Sequence, residues 1–429
     1  MFHFEHKIRK YSKYISIFAL IYYRVIKMRI TYLIGTIALL FFSLQLSRGQ
    51  FLASMPTATI TSLKQSDDSL TIDQELQQLG EKLLDNKQGS IVVIEPSTGK
   101  ILAMVNKERI NDGINRAIAM EYSPGSTFKV AQTLALMSEG ALTPETTYPC
   151  KKGFWYDKIH IGCHPHKTPL ALEQAIAQSC NSYFCKTFQE FIDNRKLYPT
   201  RNRTITRWNE YMRSMGLGKP LGVDIPGEAG GVLPDSASLK SHFKGNWNGT
   251  SIMWVGMGQG EVTTTPLQLC NLAAIIANRG YYITPHIHAG TPSNPLPEKY
   301  TVRHKSIAKP EAFDMVIKGM HAAVVNGTCA SINTKDYKIC GKTGTAENHG
   351  KDHSIFMGFA PMDKPRIAVS VYIENGGFGA DLAAPIAALI MEKYINGHLS
   401  KSSQAHADRW SSKAVKVTPV EKEVSFDDL

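Results

Sequence analysis

Four small groups of side chains in this sequence have types and spacings that suit chemistry. The first lies in SPGSTFKV, where Ser126 and Lys129 stand three positions apart. Residues i and i+3 share a helix face, so the two side chains point the same way, one turn apart. A serine hydroxyl is a weak nucleophile until a neighbouring base takes its proton. A lysine serves as that base only where burial or nearby positive charge lowers its pKa. Pro124 and Gly125 suit an entry turn. A helix N-terminus at Ser126 would favour developing negative charge. Taken alone, the spacing reads more readily as a capping serine and a surface lysine.

The second group is Ser179–Cys180–Asn181 and the third is Lys342–Thr343–Gly344–Thr345. The third falls at the start of an expected strand. Its hydroxyls and ammonium suit an anionic carboxylate, and Gly344 is expected to let a substrate come close to the strand edge. The fourth group is Cys150, Cys163, His166 and Cys180, within 31 residues. Three sulfurs and an imidazole suit a closed tetrahedral zinc site. Cys180 is the middle residue of the second group. Its side chain is expected to turn away from Ser179 and Asn181 and to anchor their backbone from behind. A Cys163–Cys180 or Cys150–Cys163 disulfide and unlinked buried thiols are the alternatives. Cys185, Cys270, Cys329 and Cys340 read as core residues, and His353 as structural.

The elements that must position these groups follow from periodicity. Residues 71–84 carry Leu76, Leu79, Leu83 and Leu84 at helical spacing. SIVVIEPSTGKILAMV reads as a β-hairpin about a PSTG turn. Residues 126–140, 170–195, 265–280 and 382–397 read as helices, and 196–250 as loop-rich. YKICGKTGTAE, HSIFMGFAP and RIAVSVYIENG read as three successive strands. Hairpin, helices, then strands and a last helix argue for an α+β fold, with helices around one antiparallel sheet. The first hairpin must then pair with strands at the far end of the chain.

In the order S-x-x-K, S-x-N, K-T-G, separated by 53 and 163 positions, the first three groups form a specific set. With GSIVVIEPSTGKILAMV, NRAIAMEYSPGSTFK, GLGKPLGVDIPGE, GQGEVTTTPLQL, IANRGYYITPH, GKTGTAEN, HSIFMGFAP and AAPIA, the chain resembles a class B penicillin-binding protein. These are monofunctional D,D-transpeptidases with a serine transpeptidase, β-lactamase-like fold. The resemblance is to the elongation type, like penicillin-binding protein 2. It implies that Ser126 attacks the penultimate D-alanine of a peptidoglycan stem peptide and that Lys129 takes its proton. It further implies that Ser179 relays a proton to the leaving D-alanine and that Asn181 holds the donor amide. Lys342 would supply positive potential, and Thr343 and Thr345 would bind the terminal carboxylate. The backbone N–H groups of Ser126 and Thr345 would form the oxyanion hole. No cofactor is implied for catalysis. β-Lactams are expected to acylate Ser126, and a glycosyltransferase of the elongation machinery is an expected partner. Some elongation-type relatives hold zinc beside the site, with a ligand at the position of Cys180, although carboxylates supply two of their ligands. The family's spacing favours His166 over His164. A D,D-carboxypeptidase or serine β-lactamase on the same fold, and a penicillin-binding sensor or scaffold, are the competing readings.

The resemblance covers residues 71–398, taken as the transpeptidase domain, with 399–429 as a polar, loosely ordered tail. Upstream, residues 1–29 hold seven basic side chains against one acid, Glu5. They therefore carry +6 of the net +11, which leaves the body only mildly basic and argues against a nucleic-acid partner. Ile30–Leu46 is an uncharged apolar run, expected to be a membrane anchor or a signal segment. Its basic flank predicts a cytoplasmic N-terminus and an exported, periplasmic body at the inner membrane. Residues 47–70 read as a polar tether, shorter than the family's usual pedestal domain.

Overall fold

The computed structural model describes residues 70–109, 112–156, 159–348 and 350–418. The basic stretch, the apolar run at 30–46 and the tether to residue 69 lie outside the described residues. Helix α1 (Gln74–Leu83) is capped by Asp73, whose carboxylate accepts from the Leu76 amide at 3.1 Å. The hairpin β1 (Gly89–Ile94) and β2 (Ile101–Lys107) turns over Pro96–Gly99. Gly125–Phe128 is one turn of 3-10 helix leading directly into α2 (Lys129–Ser138). A second hairpin, β3 (Gly153–Tyr156) and β4 (Ile159–Gly162), precedes α3 (Leu172–Ala177) and α4 (Asn181–Asp193). Then come α5 (Arg201–Ser214), α6 (Ser236–His242) and α7 (Pro266–Ala277), and a minor pair, β5 (Tyr281–Ile283) and β6 (Arg303–Lys305). The chain continues through α8 (Pro310–Asn326), β7 (Cys340–Ala346), β8 (His353–Ala360) and β9 (Ile367–Ile373), and ends with α9 (Ala383–Asn396) and α10 (Lys401–Ser412).

The main sheet is antiparallel, in the order β2-β1-β9-β8-β7. The long-range pairing expected from the sequence is therefore present, with Val92 opposite Ser370 in the β1–β9 register. Both sheet faces are covered. Helix α7 lies on one, with all twelve of its residues buried, as its apolar sequence on every side requires. Its start is fixed by a Thr265–Gln268 capping box. Helices α1 and α9 cover the other face. The 3-10 turn is held from behind by Phe128, whose ring lies 5.9 Å from Trp208, itself 5.8 Å from Phe188. Full burial of Phe128 contributes about 1.5–3 kcal/mol. The Trp208 indole donates to Gln132 Oε1 on α2 at 2.7 Å.

Three expectations about elements need correction. The helix expected over 170–195 is two helices, α3 and α4, broken at Ser179, whose φ is 51°. The loop-rich stretch 196–250 contains α5, where a strongly polar sequence masks a buried stripe of Thr204, Ile205, Trp208, Tyr211 and Met212. The tail expected to be loosely ordered begins with α10, capped by Ser400. It is docked as well: Lys87 Nζ donates to the Trp410 carbonyl at 2.6 Å, and Arg109 donates to the Val415 carbonyl at 2.9 Å. No helix among the described residues is long and apolar enough to cross a membrane.

Candidate active site

Gly125 has φ 53°, and a Cβ there would lie 2.5 Å from the Thr345 carbonyl oxygen. Only glycine combines that conformation with that closeness. Its amide donates to the Gly258 carbonyl at 2.8 Å. These contacts press the 3-10 turn against β7 and bring Ser126 beside Thr345. In a 3-10 turn, residues i and i+3 eclipse, so Ser126 and Lys129 share one side, as their spacing predicted. Ser126 is half-buried and Lys129 fully buried.

Lys129 Nζ donates to the Ser179 carbonyl at 2.9 Å, to Asn181 Oδ1 at 2.5 Å and to Ser179 Oγ at 3.3 Å. Lys342, equally buried, donates to the same Ser179 Oγ at 2.8 Å and to the Thr343 carbonyl at 3.1 Å. Two buried lysine amines thus converge on one hydroxyl. Burial pulls Lys129 down to about 8, with nearby Cys185, Cys163 and Cys180 opposing the shift. Burial, reinforced by Lys129, pulls Lys342 down to about 7. A lysine whose pKa lies this close to physiological pH keeps a neutral fraction able to accept a proton. The three motifs, far apart in sequence, therefore meet at one centre holding a hydroxyl, a tunable amine, a second hydroxyl and an amide.

The left-handed backbone at Ser179 sets the middle motif. It costs on the order of 1 kcal/mol, and it turns Cys180 into the N-cap of α4, its sulfur accepting from the Tyr183 amide at 3.4 Å. Asn181, the first residue of α4, donates through Nδ2 to the Gly162 carbonyl on β4 at 2.8 Å. On β7, Thr343 donates to Thr328 Oγ1 at 2.8 Å, while Thr345 is half-exposed at the rim. Gly344 meets the protein's own turn: a Cβ there would lie 2.9 Å from Thr127 Cγ2 and 3.1 Å from the Pro124 oxygen. The smallness of Gly344, attributed from sequence to substrate approach, is used by the structure to seat the SPGS turn.

Cys150, Cys163, His166 and Cys180 are brought together as predicted, with all four ligand atoms within 4.8 Å of one another. None of the seven cysteines forms a disulfide, and the other four are buried. Cys163 Sγ lies 3.5 Å from His166 Nε2 and accepts from the Asn181 amide at 3.4 Å. His166 Nδ1 faces the Lys167 carbonyl at 2.7 Å, which leaves Nε2 as the nitrogen directed at the sulfurs. The contact between Cys163 and Cys180 pulls the Cys163 thiol down and pushes the Cys180 thiol up. Cys180 Sγ lies with Cys150, Cys163 and His166, while Lys129 reaches the flanking Ser179 and Asn181.

Sequence reasoning missed three neighbours of this centre. Gly258 receives the Gly125 amide, Gln259 Nε2 reaches the Thr345 carbonyl at 3.5 Å, and Thr328 holds Thr343. The glycines of GQG were the only signal, since these contacts are long-range. His353 is structural, accepting from the Asn375 amide at 3.0 Å.

Residues 89–392 match the family described as the penicillin binding protein transpeptidase domain. The chain is 30% identical over 378 residues to a peptidoglycan D,D-transpeptidase MrdA of Acinetobacter baumannii, a match covering 75% of this chain and 53% of that protein. The chain thus spans about half the length of this curated relative. Among solved structures, it resembles Pseudomonas aeruginosa PBP2 in complex with WCK 5153, with a TM-score of 0.67 and 30% identity over 78% of this chain and 77% of that one. A peptidoglycan synthase complex that coordinates polymerization and crosslinking gives a TM-score of 0.67 at 27% identity, covering 77% of this chain and 63% of that one.

Proposed function

Because this chain belongs to the penicillin-binding protein transpeptidase family, we propose that it is a peptidoglycan D,D-transpeptidase acting through a Ser126 acyl-enzyme. The observation that carries this reading is the convergence of Lys129 and Lys342 on Ser179 Oγ, beside Ser126 and Thr345. Neutral Lys129 takes the proton of Ser126 as Oγ attacks the carbonyl of the penultimate D-alanine. The amides of Ser126 and Thr345 hold the oxyanion, each worth about 3–4 kcal/mol. The bond to the terminal D-alanine breaks, and the proton passes through Ser179 to its nitrogen. Asn181 holds the donor amide. Lys342, Thr343 and Thr345 hold the terminal carboxylate. An amine from a second stem peptide then attacks the ester, its proton returns through the same groups, and Ser126 Oγ is released.

β-Lactams occupy the same centre in this reading, since their ring nitrogen, still tethered after opening, does not leave. Labelled penicillin is expected to acylate the wild type, with mass spectrometry placing the adduct on Ser126, and to leave Ser126→Ala unlabelled. Equal labelling of both would remove Ser126 from the mechanism. Hydrolysis of the adduct within seconds would indicate a lactamase instead.

Cys150, Cys163, His166 and Cys180 would hold a structural zinc. The donor set fits, with three sulfurs and an imidazole nitrogen clustered within 4.8 Å and His166 oriented by a carbonyl. When bound, the metal would fix the backbone of Ser179–Asn181 from behind. Purified protein is expected to contain about one zinc per chain. A chelator is expected to lower both the melting temperature and the penicillin acylation rate. Metal content near zero in a protein with full acylation activity would refute the site. The apolar run at 30–46 would place the domain on the periplasmic face of the inner membrane. A polymerising glycosyltransferase is the partner consistent with the synthase complex that this chain resembles.

A further inference from the structure

The β3–β4 hairpin has two faces with different fates. Phe154 and Ile161 turn inward onto Cys185, Met253 and Met257. Trp155 and His160, paired across the hairpin, turn outward and stack with ring centroids 3.7 Å apart, leaving Trp155 61% exposed. Trp155, Tyr156 and Ile159 cluster exposed apolar surface on this one hairpin, and contiguous apolar surface of this kind is characteristic of interaction sites. Beside it lies a cavity of about 220 Å3 lined by Tyr148, Phe154, Trp155, Ser182, Lys151 and Lys186. The lining carries two lysines and no carboxylate, although Glu190 beside it pairs with Lys186 at 3.3 Å and accepts from the Tyr148 hydroxyl. The hairpin is tied to the reaction centre at both of its open ends. Ser182 Oγ donates to the Gly153 carbonyl at 2.5 Å, and Asn181 Nδ2 donates to the Gly162 carbonyl. Ser182 and Lys186, four residues apart on α4, share the helix face next to that of Asn181.

Cross-linking requires a second strand to reach the acyl-enzyme while the donor occupies the Ser126–Thr345 cleft. We propose that the outer face of this hairpin and the adjoining cavity bind that acceptor strand, an acidic stem peptide. Lys151 and Lys186 meet its carboxylates, and Trp155 covers its aliphatic stretch. This inference rests on the transpeptidase reading above. Charge complementarity favours an anionic peptide, and an indole supplies rigid contact area at low entropic cost.

The test separates binding from chemistry. The probe is a synthetic acidic stem tetrapeptide that lacks the terminal D-alanine and so cannot act as donor. Its affinity is measured on the Ser126→Ala chain. Adding Trp155→Ala or Lys151→Glu is expected to weaken binding about tenfold, with Trp155→Phe retaining most of it. In chains that keep Ser126, the same changes are expected to leave penicillin acylation at the wild-type rate. Unchanged tetrapeptide affinity overturns the proposal. So does a parallel loss of acylation, which would make the hairpin a support for the cleft. A wild type that binds the tetrapeptide through Trp155 but only hydrolyses the acyl-enzyme formed from a pentapeptide donor strikes the transpeptidase reading and leaves the binding surface standing.

Discussion

Replacing Lys129 with methionine is expected to slow acylation of Ser126 by ~10²–10⁴-fold, the range for removal of a general base. The fold should survive, because methionine fills the same channel and an ammonium no longer has to be desolvated. The lost donations to the Ser179 carbonyl and Asn181 make the thermal effect small but measurable. The pH profile carries the diagnostic sign. Lys129 can accept a proton only when neutral, and burial holds its pKa at about 8. Below that value the neutral fraction falls about tenfold per unit. The wild-type acylation rate should therefore rise with pH and level off above about 8. Stopped-flow acylation with a chromogenic β-lactam between pH 5 and 9 checks this. A rate that instead falls as pH passes 8 would mean that Lys129 acts as a charge rather than as a base.

Arg116→Met is expected to be among the most damaging substitutions outside the site. Arg116 is 1% exposed and donates to Glu374 at 2.8 Å and to Asp112 at 2.5 and 3.0 Å. Glu374, also buried, further accepts from the Tyr122 hydroxyl at 2.6 Å and from Gln88 at 2.8 Å. Removing the guanidinium leaves a buried carboxylate with neutral donors only, at a cost of about 3–5 kcal/mol. The melting temperature should fall by roughly 5 °C. Adding Glu374→Gln should recover part of the loss, since a pair removed together costs less than an orphaned charge. Calorimetry on the two single variants and the double closes the cycle. The network also reaches the nucleophile. Tyr122 stacks on Tyr372 at 4.0 Å, and the Tyr372 hydroxyl donates to the Ser123 carbonyl at 3.4 Å. Acylation should therefore suffer together with stability.

The parts of the protein governed by local rules were legible in the sequence. The spacing of Ser126 and Lys129, the three strands that carry and follow Lys342, and the ligand types around Cys163 were all read from neighbouring residues. What escaped depended on tertiary context. Nothing in AIAQSCNSYF announces that Ser179 leaves the helical region; that follows from where Lys129 and Lys342 converge. Helix α5 was hidden because a polar average conceals a one-sided stripe ending in Trp208 and Met212. Helix α10 fully buries only Ala407, with Trp410 packed against the same cluster, and is tied by long-range contacts such as Lys82–Asp408 that residues 401–412 cannot forecast. Gly258, Gln259 and Thr328 became neighbours of the site only once β7 was set against the SPGS turn.

The strand order has a consequence for when the domain can exist during synthesis. The central strand β9 begins at Ile367, and its partner β1 ends at Ile94. At ribosomal speeds, on the order of tens of seconds pass between the emergence of these two segments. During that interval, the β1–β2 hairpin has no central strand to pair with, and β7 and β8 can pair only with each other. A chain that stops before β9 would leave one edge of β1 and one edge of β8 unpaired, so it should present as a target for quality control rather than as a partly active enzyme. Nascent chains of this protein should therefore depend on holding chaperones for most of their length.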